Sequence, residues 1–377
     1  MFKEPYSTAE YQAITRRGFL GLSGVLGLGL AASPIGISLA EAAKFDRHLY
    51  KVSRSRPEMG TLTSITVLNY SKDQAYEAID LAFEEIARLT KLMSRYDVDT
   101  PVSQLNRDGY LNGVPPELYF VLRESMRYHE ISTGRFDITV KPLIDMYARL
   151  SQSSGGISGH EEKIHDLLNL VDARLIVMNE SSIAFRKHGM GITLDGIAKG
   201  YIVDKAIGVL QTKGIKHALI NAGGDIRTLG DKGQNRPWKI AIEDPQKKND
   251  YPDIIAIKNG SVATSGNYEV FYNREKILHH IVNPKTGLSP LMNASLSVQA
   301  PTAMEADALS TTLFTLNPIE SMRLVQSLPH CEALVVTRNN RKRLRKSECR
   351  RDFEQGQPHD RYLTCPPYSA PKQWKSQ

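Results

Sequence analysis

The chain has 377 residues, enough for one large domain or two ordinary ones, with 41% apolar and 24% charged residues, as in soluble globular proteins. Its net charge of +7 does not point to nucleic acid, because the run RNNRKRLRKSECRR at 338–351 supplies all of it and the remainder is close to neutral; such a run reads as a solvated surface or tail. Cys331, Cys349 and Cys365 lack CxxC spacing, which argues against a thiolate metal site and thiol catalysis and leaves a Cys349–Cys365 disulfide open.

In chain order, the first segment is an address rather than fold. Arg16 and Arg17 precede Phe19, Leu20 and a Gly-rich apolar stretch too short to span a bilayer, and Ala-Glu-Ala at 40–42 offers a small-x-small cleavage site. Residues 1–42 therefore resemble a twin-arginine export signal, which implies the export machinery as a partner and a periplasmic or cell-envelope location. The alternative is an uncleaved anchor, with membrane association.

The mature chain alternates strand-like and helix-like stretches. MGTLTSITVLNY (59–70) has strand alternation, and AYEAIDLAFEEIARLTKLM (75–93) carries apolar residues at helical spacing. PPELYFVLRESMRYHEIS (115–132) predicts a second helix, opened by prolines and closed before Gly134. SQSSGGISGHEEK (151–163) reads as a surface excursion, and DGIAKGYIVDKAIGVLQTKG (195–214) contains a third helix. KHALINAGG, WKIAIEDP, DIIAIKNGSVATSG, HHIVNP and ASLSVQAP predict short strands; AMEADALSTTLFTL (303–316) and PIESMRLVQSL predict helices, and CEALVVTR a last strand. The expected fold is α+β, with mixed or antiparallel sheets and flanking helices. From about 350 onward the composition predicts a loosely ordered tail.

No GxxxxGK[ST] phosphate loop or GxSxG elbow is present, and the histidines of HEEKIH (160–165) are five apart, the wrong spacing for a zinc helix. What remains is a set of short polar, glycine-bearing strings at element ends: EMGTLTS, KLMSRYDVDTPVSQLN, TGRFDITVKPL, LDGIAKGYIVDKA, NAGGDIRTLG, ATSGNYE, HHIVNPKTG and APTAMEADALSTTLF. In this order and spacing, from about residue 59 to about residue 337, they closely resemble the bacterial FAD:protein FMN transferases, the ApbE-type flavin transferases. The resemblance implies a catalytic domain over 43–350, followed by the tail at 351–377. It also implies a magnesium-dependent reaction in which FAD is split and its FMN half is joined to a Thr or Ser of an exported target flavoprotein, releasing AMP. An FAD pyrophosphatase and a non-catalytic FAD carrier are the alternatives.

Each chemical need has candidate residues. Asp307 and Thr311 are four apart on a predicted helix and so share a face, setting a carboxylate beside a hydroxyl as a hard cation requires. The resemblance makes both metal ligands, adds the backbone carbonyl of Gly196, and leaves an assisting role for Ser310 open. DGIAKG opens a helix whose free N–H groups suit an anion, and the resemblance puts Lys199 on FAD. The family's usual acid ahead of this glycine is replaced by Thr193, Leu194 and Asp195, leaving Thr193 or a displaced Asp195 to serve. Met59, Tyr96, Arg135, Phe136 and Asp137 match ring-binding positions, where aromatic and Met side chains can stack on flat rings. His280 is the candidate for orienting phosphates or moving a proton, with Ile281 against the ring and His279 on the opposite face of a strand. In NAGGD the resemblance implies a tight glycine turn beside the flavin pocket, with Asp225 in support.

Overall fold

The computed structural model describes residues 14–15, 40–44, 49–152, 160–245, 250–251, 253–267, 279–337 and 343–345. Arg16 and Arg17, most of the basic run, Cys349, Cys365 and the 351–377 tail lie outside the described residues.

The main elements are β1 (Ala40–Lys44), β2 (Tyr50–Glu58), β3 (Thr61–Asn69), α1 (Lys72–Met93), α2 (Pro101–Asp108), β4 (Tyr110–Asn112), α3 (Pro116–Ile131), α4 (Lys141–Gln152), α5 (Glu161–Leu168), β5 (Ile176–Met178) and β6 (Ser182–Phe185). They continue with α6 (Ala198–Thr212), β7 (His217–Ala222), β8 (Asp225–Leu229), β9 (Trp238–Ile242), β10 (Asp253–Ile257), β11 (Ser261–Gly266), β12 (Asn293–Ala300), α7 (Ala303–Phe314), α8 (Pro318–Ser327), β13 (Glu332–Thr337) and β14 (Arg343–Arg345). The chain folds as two interleaved compact units. One takes the chain up to Gln104 with Leu194–Ala263 and Pro301–Asp307; the other takes Leu105–Thr193, Thr264–Ala300 and the chain from Ala308.

In the first unit an antiparallel sheet runs β8–β7–β3–β2–β1, with the start of β11 on β8 through Ser261↔Arg227 and Val262↔Ile226. The Ala40–Lys44 strand pairs with Tyr50–Arg54, so the Ala-Glu-Ala string at 40–42 lies within β1. α1 buries Ala75, Ala78, Ile79, Ala82, Phe83, Ile86, Leu89 and Met93 along one stripe, packed on α6; each large side chain so buried contributes about 1.5–3 kcal/mol. Ser71 starts α1 by accepting the Gln74 N–H at 3.2 Å.

Two hairpins of this sheet turn through two residues each. Met59 and Gly60 (φ 53° and 72°) join β2 to β3, and Gly223 and Gly224 (φ 61° and 100°) join β7 to β8. Positive φ at both central positions is what a two-residue hairpin demands of its backbone. Glycine supplies it freely, whereas Met59 adopts it at a cost of about 1–2 kcal/mol.

The second unit holds the antiparallel sets β4–β6–β5 and β12–β13–β14. A core of Val140, Leu143, Ile144, Met146, Tyr147, Ile164 and Val282 forms around α4 and α5. Asn317 and Glu320 make a reciprocal capping box at the start of α8.

The structure departs from the sequence reading at three places. The expected surface excursion at 151–163 is helical at both ends: Ser151 and Gln152 complete α4, and residues 161–163 open α5, because Glu161 and Glu162 favour a helix start and Ile164 gives it a buried face. HHIVNP is not a strand: His279 forms an isolated bridge and the following residues pass into a turn, since Asn283-Pro284 stops extension after two apolar residues. The strand β2 carries too many charges to show alternation, and it is positioned by β1 and β3 instead.

Candidate active site

In the first unit, an acidic centre forms where α6, β8 and α7 begin. Asp225 is the first residue of β8, directly after the glycine turn, and its Oδ2 lies 3.3 Å from Lys199 Nζ on the first turn of α6. Asp307, one turn into α7, accepts the Gly200 N–H on its Oδ2 at 3.0 Å. Both carboxylates are almost wholly buried, 3% and 5% exposed. Burial pushes the Asp307 carboxyl well above the ordinary range; the charges of Asp225 and Asp195 push the same way, against Lys199 and the Gly200 N–H. One ammonium therefore faces more carboxylate charge than it neutralises, a donor set that fits a hard divalent cation. Gly196 lies in the turn just before α6.

The expectation that the N–H groups of DGIAKG stand open for a phosphate is corrected in part. The Gly200 N–H is taken by Asp307, and the Ala198 N–H bonds the Leu194 carbonyl. The glycine turn is also explained differently. A Cβ on Gly223 would fall 2.4 Å from Thr61 Oγ1, so what comes close is the neighbouring hairpin, while Gly224 faces open space. The two turns thus sit side by side at the same end of the paired strands β3 and β7. Tyr96 is 72% exposed. Its ring lies under the Arg95 guanidinium at 4.4 Å, and its hydroxyl donates to Asp195 Oδ2 at 3.2 Å, which Arg95 Nε also reaches at 3.0 Å. This makes Tyr96 an outward-facing platform held in place, and it gives Asp195 a partner that the sequence did not show.

In the second unit, Thr311 and Ser310 face Ser265 of β11, whose Oγ is 2.8 Å from Ser310 Oγ and 3.5 Å from Thr311 Oγ1. Ser265 was missed as a candidate, although ATSGNYE was among the strings that pointed to it. α7 itself begins in the first unit and continues into the second, with Asp307 and Thr311 on one face. His279 is fully buried. Its Nδ1 accepts the Ile281 N–H at 3.3 Å, its Nε2 donates to the Pro290 carbonyl at 2.9 Å, and its ring meets Phe314 edge-on. That fixes it as a neutral core histidine and leaves His280, half-buried beside it, as the site candidate. Ile281 is buried. Thr193 is buried and donates its N–H to the Ile138 carbonyl at 2.8 Å.

The RFD string divides. Arg135 is half-buried, its carbonyl accepting from Thr315 Oγ1. Phe136 is buried, its ring edge-on to that of Tyr128. Asp137 accepts from the Thr139 N–H at 2.8 Å, the Ala173 N–H at 3.0 Å and His129 Nδ1 at 3.2 Å. Among the described residues His129, Asp137 and Asp172 bring ligand-type atoms within 4.8 Å of one another. Asp137 is nevertheless spent on these hydrogen bonds, and Asp172 bonds the backbone and guanidinium of Arg174. This cluster clamps the unit.

A family model described as "ApbE family" matches residues 59–335. The chain belongs to the ApbE family. Among its family relatives, a protein of Haemophilus influenzae named FAD:protein FMN transferase is 25% identical, over 83% of this chain and 93% of that protein. One of Treponema pallidum with the same name is 28% identical, over 77% and 86%. The solved ApbE protein of Thermotoga maritima superposes with a TM-score of 0.70 at 27% identity, covering 80% of this chain and 98% of that one. The ApbE fold expected from the eight strings is thus the observed one.

Proposed function

We infer that this chain is an FAD:protein FMN transferase, moving the FMN moiety of FAD onto a hydroxyl of a target flavoprotein and releasing AMP. The observation that carries this reading, within the ApbE family, is the buried Asp225–Asp307 pair faced by Lys199. The acceptor Thr or Ser oxygen bonds to the phosphorus on the FMN side, the bond to the AMP phosphate breaks, and the hydroxyl proton leaves. Such a transfer depends mainly on positioning and charge neutralisation. Lys199 offers a movable positive charge for the pyrophosphate, and Asp225 holds its ammonium ready. Tyr96 and Met59 offer surfaces to the flat rings, with Arg135 and Ile281 assigned the same task. His280 is assigned the proton or the orientation of a phosphate. Asp307, Thr311 and the Gly196 carbonyl would hold magnesium, which when bound neutralises charge on the pyrophosphate oxygens. The paired Arg16–Arg17 supports export by the twin-arginine machinery and a target in the periplasm or cell envelope, with membrane association as the variant in which the signal is retained.

The test follows AMP by chromatography and covalent flavin by in-gel fluorescence of a denatured flavoprotein domain carrying an acceptor Thr, with FAD and magnesium. AMP with a fluorescent band, both lost with EDTA and in Asp307→Ala, supports the reading. AMP and free FMN without labelling would make the protein a pyrophosphatase. Asp307→Ala at the wild-type rate would overturn the metal assignment.

A further inference from the structure

We propose that Asp204 and Arg227 form a positioning device that fixes Asp307 against the start of α6. Neither residue is among those assigned above to metal or flavin. Asp204 reaches from α6 to the first turn of α7, where its two oxygens accept the Ala303 and Met304 N–H groups, each at 2.9 Å. Arg227 Nε lies 3.2 Å from Asp204 Oδ1. The same guanidinium donates to Ser261 Oγ at 3.2 Å and to the Pro301 carbonyl, just before α7. Between the helices there is no room for slack, because a Cβ on Gly200 would stand 2.3 Å from the Ala303 carbonyl oxygen.

The placement follows the repeat of each element. Asp204 is four residues beyond Gly200 on α6, so the residue that caps α7 lies on the same face as the N–H that holds Asp307. Arg227 is two residues beyond Asp225 on β8, and so is on the same face of that strand. Ala303 is four residues before Asp307 on α7, one turn back on the same face. Each of the three elements that contribute to the acidic centre is thus pinned one repeat away from its contribution. Two helix-start N–H groups, which have no partner inside their own helix, are satisfied by a residue from another element. A carboxylate that caps α7 in this way sets both the axial position and the rotation of the helix, and therefore where the Asp307 oxygens lie.

This inference rests on the reading of Asp307 as a metal ligand, and the experiment separates the two. Wild type, Asp204→Asn, Arg227→Lys and Asp307→Ala are titrated with Mn2+, free Mn2+ being followed by electron paramagnetic resonance. FAD binding is followed by quenching of flavin fluorescence, and melting temperature is taken in parallel. Asp204→Asn keeps the size of the side chain but loses one acceptor and the charge facing Arg227. The expected result is a folded variant whose Mn2+ affinity falls about tenfold or more while FAD affinity changes less than about threefold, with transfer at saturating metal down on the order of 100-fold, as for a group misplaced by about 1 Å. Arg227→Lys, which keeps the charge but loses the guanidinium fork, should shift Mn2+ affinity in the same direction, and it decides the matter if Asp204→Asn does not fold. A variant that lowers only the melting temperature, with Mn2+ affinity and rate at wild-type values, would overturn the positioning role. If Asp307→Ala itself binds Mn2+ like the wild type, the metal reading fails instead.

Discussion

Gly200→Ala puts the α6–α7 junction to the most direct test. The added methyl would meet the Ala303 carbonyl oxygen at 2.3 Å, its carbon at 2.5 Å and the Met304 nitrogen at 2.7 Å. These are backbone atoms that no rotamer change can move, so restoring van der Waals separation drives the two helices apart by roughly 1 Å. Overpacking of this kind costs about 1–3 kcal/mol, and stretching the Gly200 N–H bond to the Asp307 carboxylate costs about 1.5–3 kcal/mol more. The better helix propensity of alanine returns about 1 kcal/mol, which leaves a net loss of about 1.5–5 kcal/mol. Displacing Asp307 by that distance should slow AMP release on the order of 100-fold. Gly208, on the same helix, has nothing within 4 Å of its would-be Cβ. Gly208→Ala should therefore gain about 0.4–1 kcal/mol and leave the rate alone. Calorimetric melting and chromatography of AMP on both variants decide the matter. If the Gly200 and Gly208 variants behave alike, the close approach does not control the site.

Two further outcomes follow from the second unit. The hydrogen bond that His129 donates to the Asp137 carboxylate is the largest cause holding the His129 pKa above its ordinary 6.5, against burial. Its stabilisation is therefore fully present below pH 6.5 and is lost as pH rises through the raised value, at no more than about 1.4 kcal/mol per pH unit. Urea midpoints across that window should slope downward in the wild type and flatten in His129→Gln; equal slopes would remove His129 as the cause. Tyr147, buried and pushed up to about 12 by burial, donates its hydroxyl to the Gly287 carbonyl. Tyr147→Phe leaves that carbonyl without this donor and should cost about 1–3 kcal/mol in urea unfolding, whereas an unchanged midpoint would show that the bond contributes nothing net.

The legible parts of this protein are those that local pattern controls. The stripe of α1, the proline-opened α3 and the glycines around Lys199 and Asp225 all announce themselves, because helix period, capping and positive φ leave marks within a few residues. The eight ordered strings carried the family and the fold. The interior network was not legible. Nothing near Asp204 in YIVDKA signals that it caps a helix 99 residues later, and Arg227 in DIRTLG reads as an ordinary strand charge. At Phe136 and Asp137 a ring and a carboxylate in a loop suggest ligand contact, but the local pattern does not show the Tyr128 ring or the Thr139 and Ala173 N–H groups that they also meet. His279 and His280 could be separated only as neighbours on opposite faces; the Ser289 and Pro290 partners that bury His279 required the tertiary fold.

The interleaving of the units bears on how the protein is made. The first unit receives its final residues, Pro301–Asp307, only after 264–300 have been given to the second. A nascent chain halted at residue 300 would hold Asp204 and Arg227 with no helix start to cap and would lack the Asp307 carboxylate. Pairings that wait on such distant chain form slowly, since loop closure precedes their reward. Neither unit can be excised as one continuous stretch. Expression of a single half should therefore yield insoluble fragment, and activity from split chains should return only when both pieces are present together.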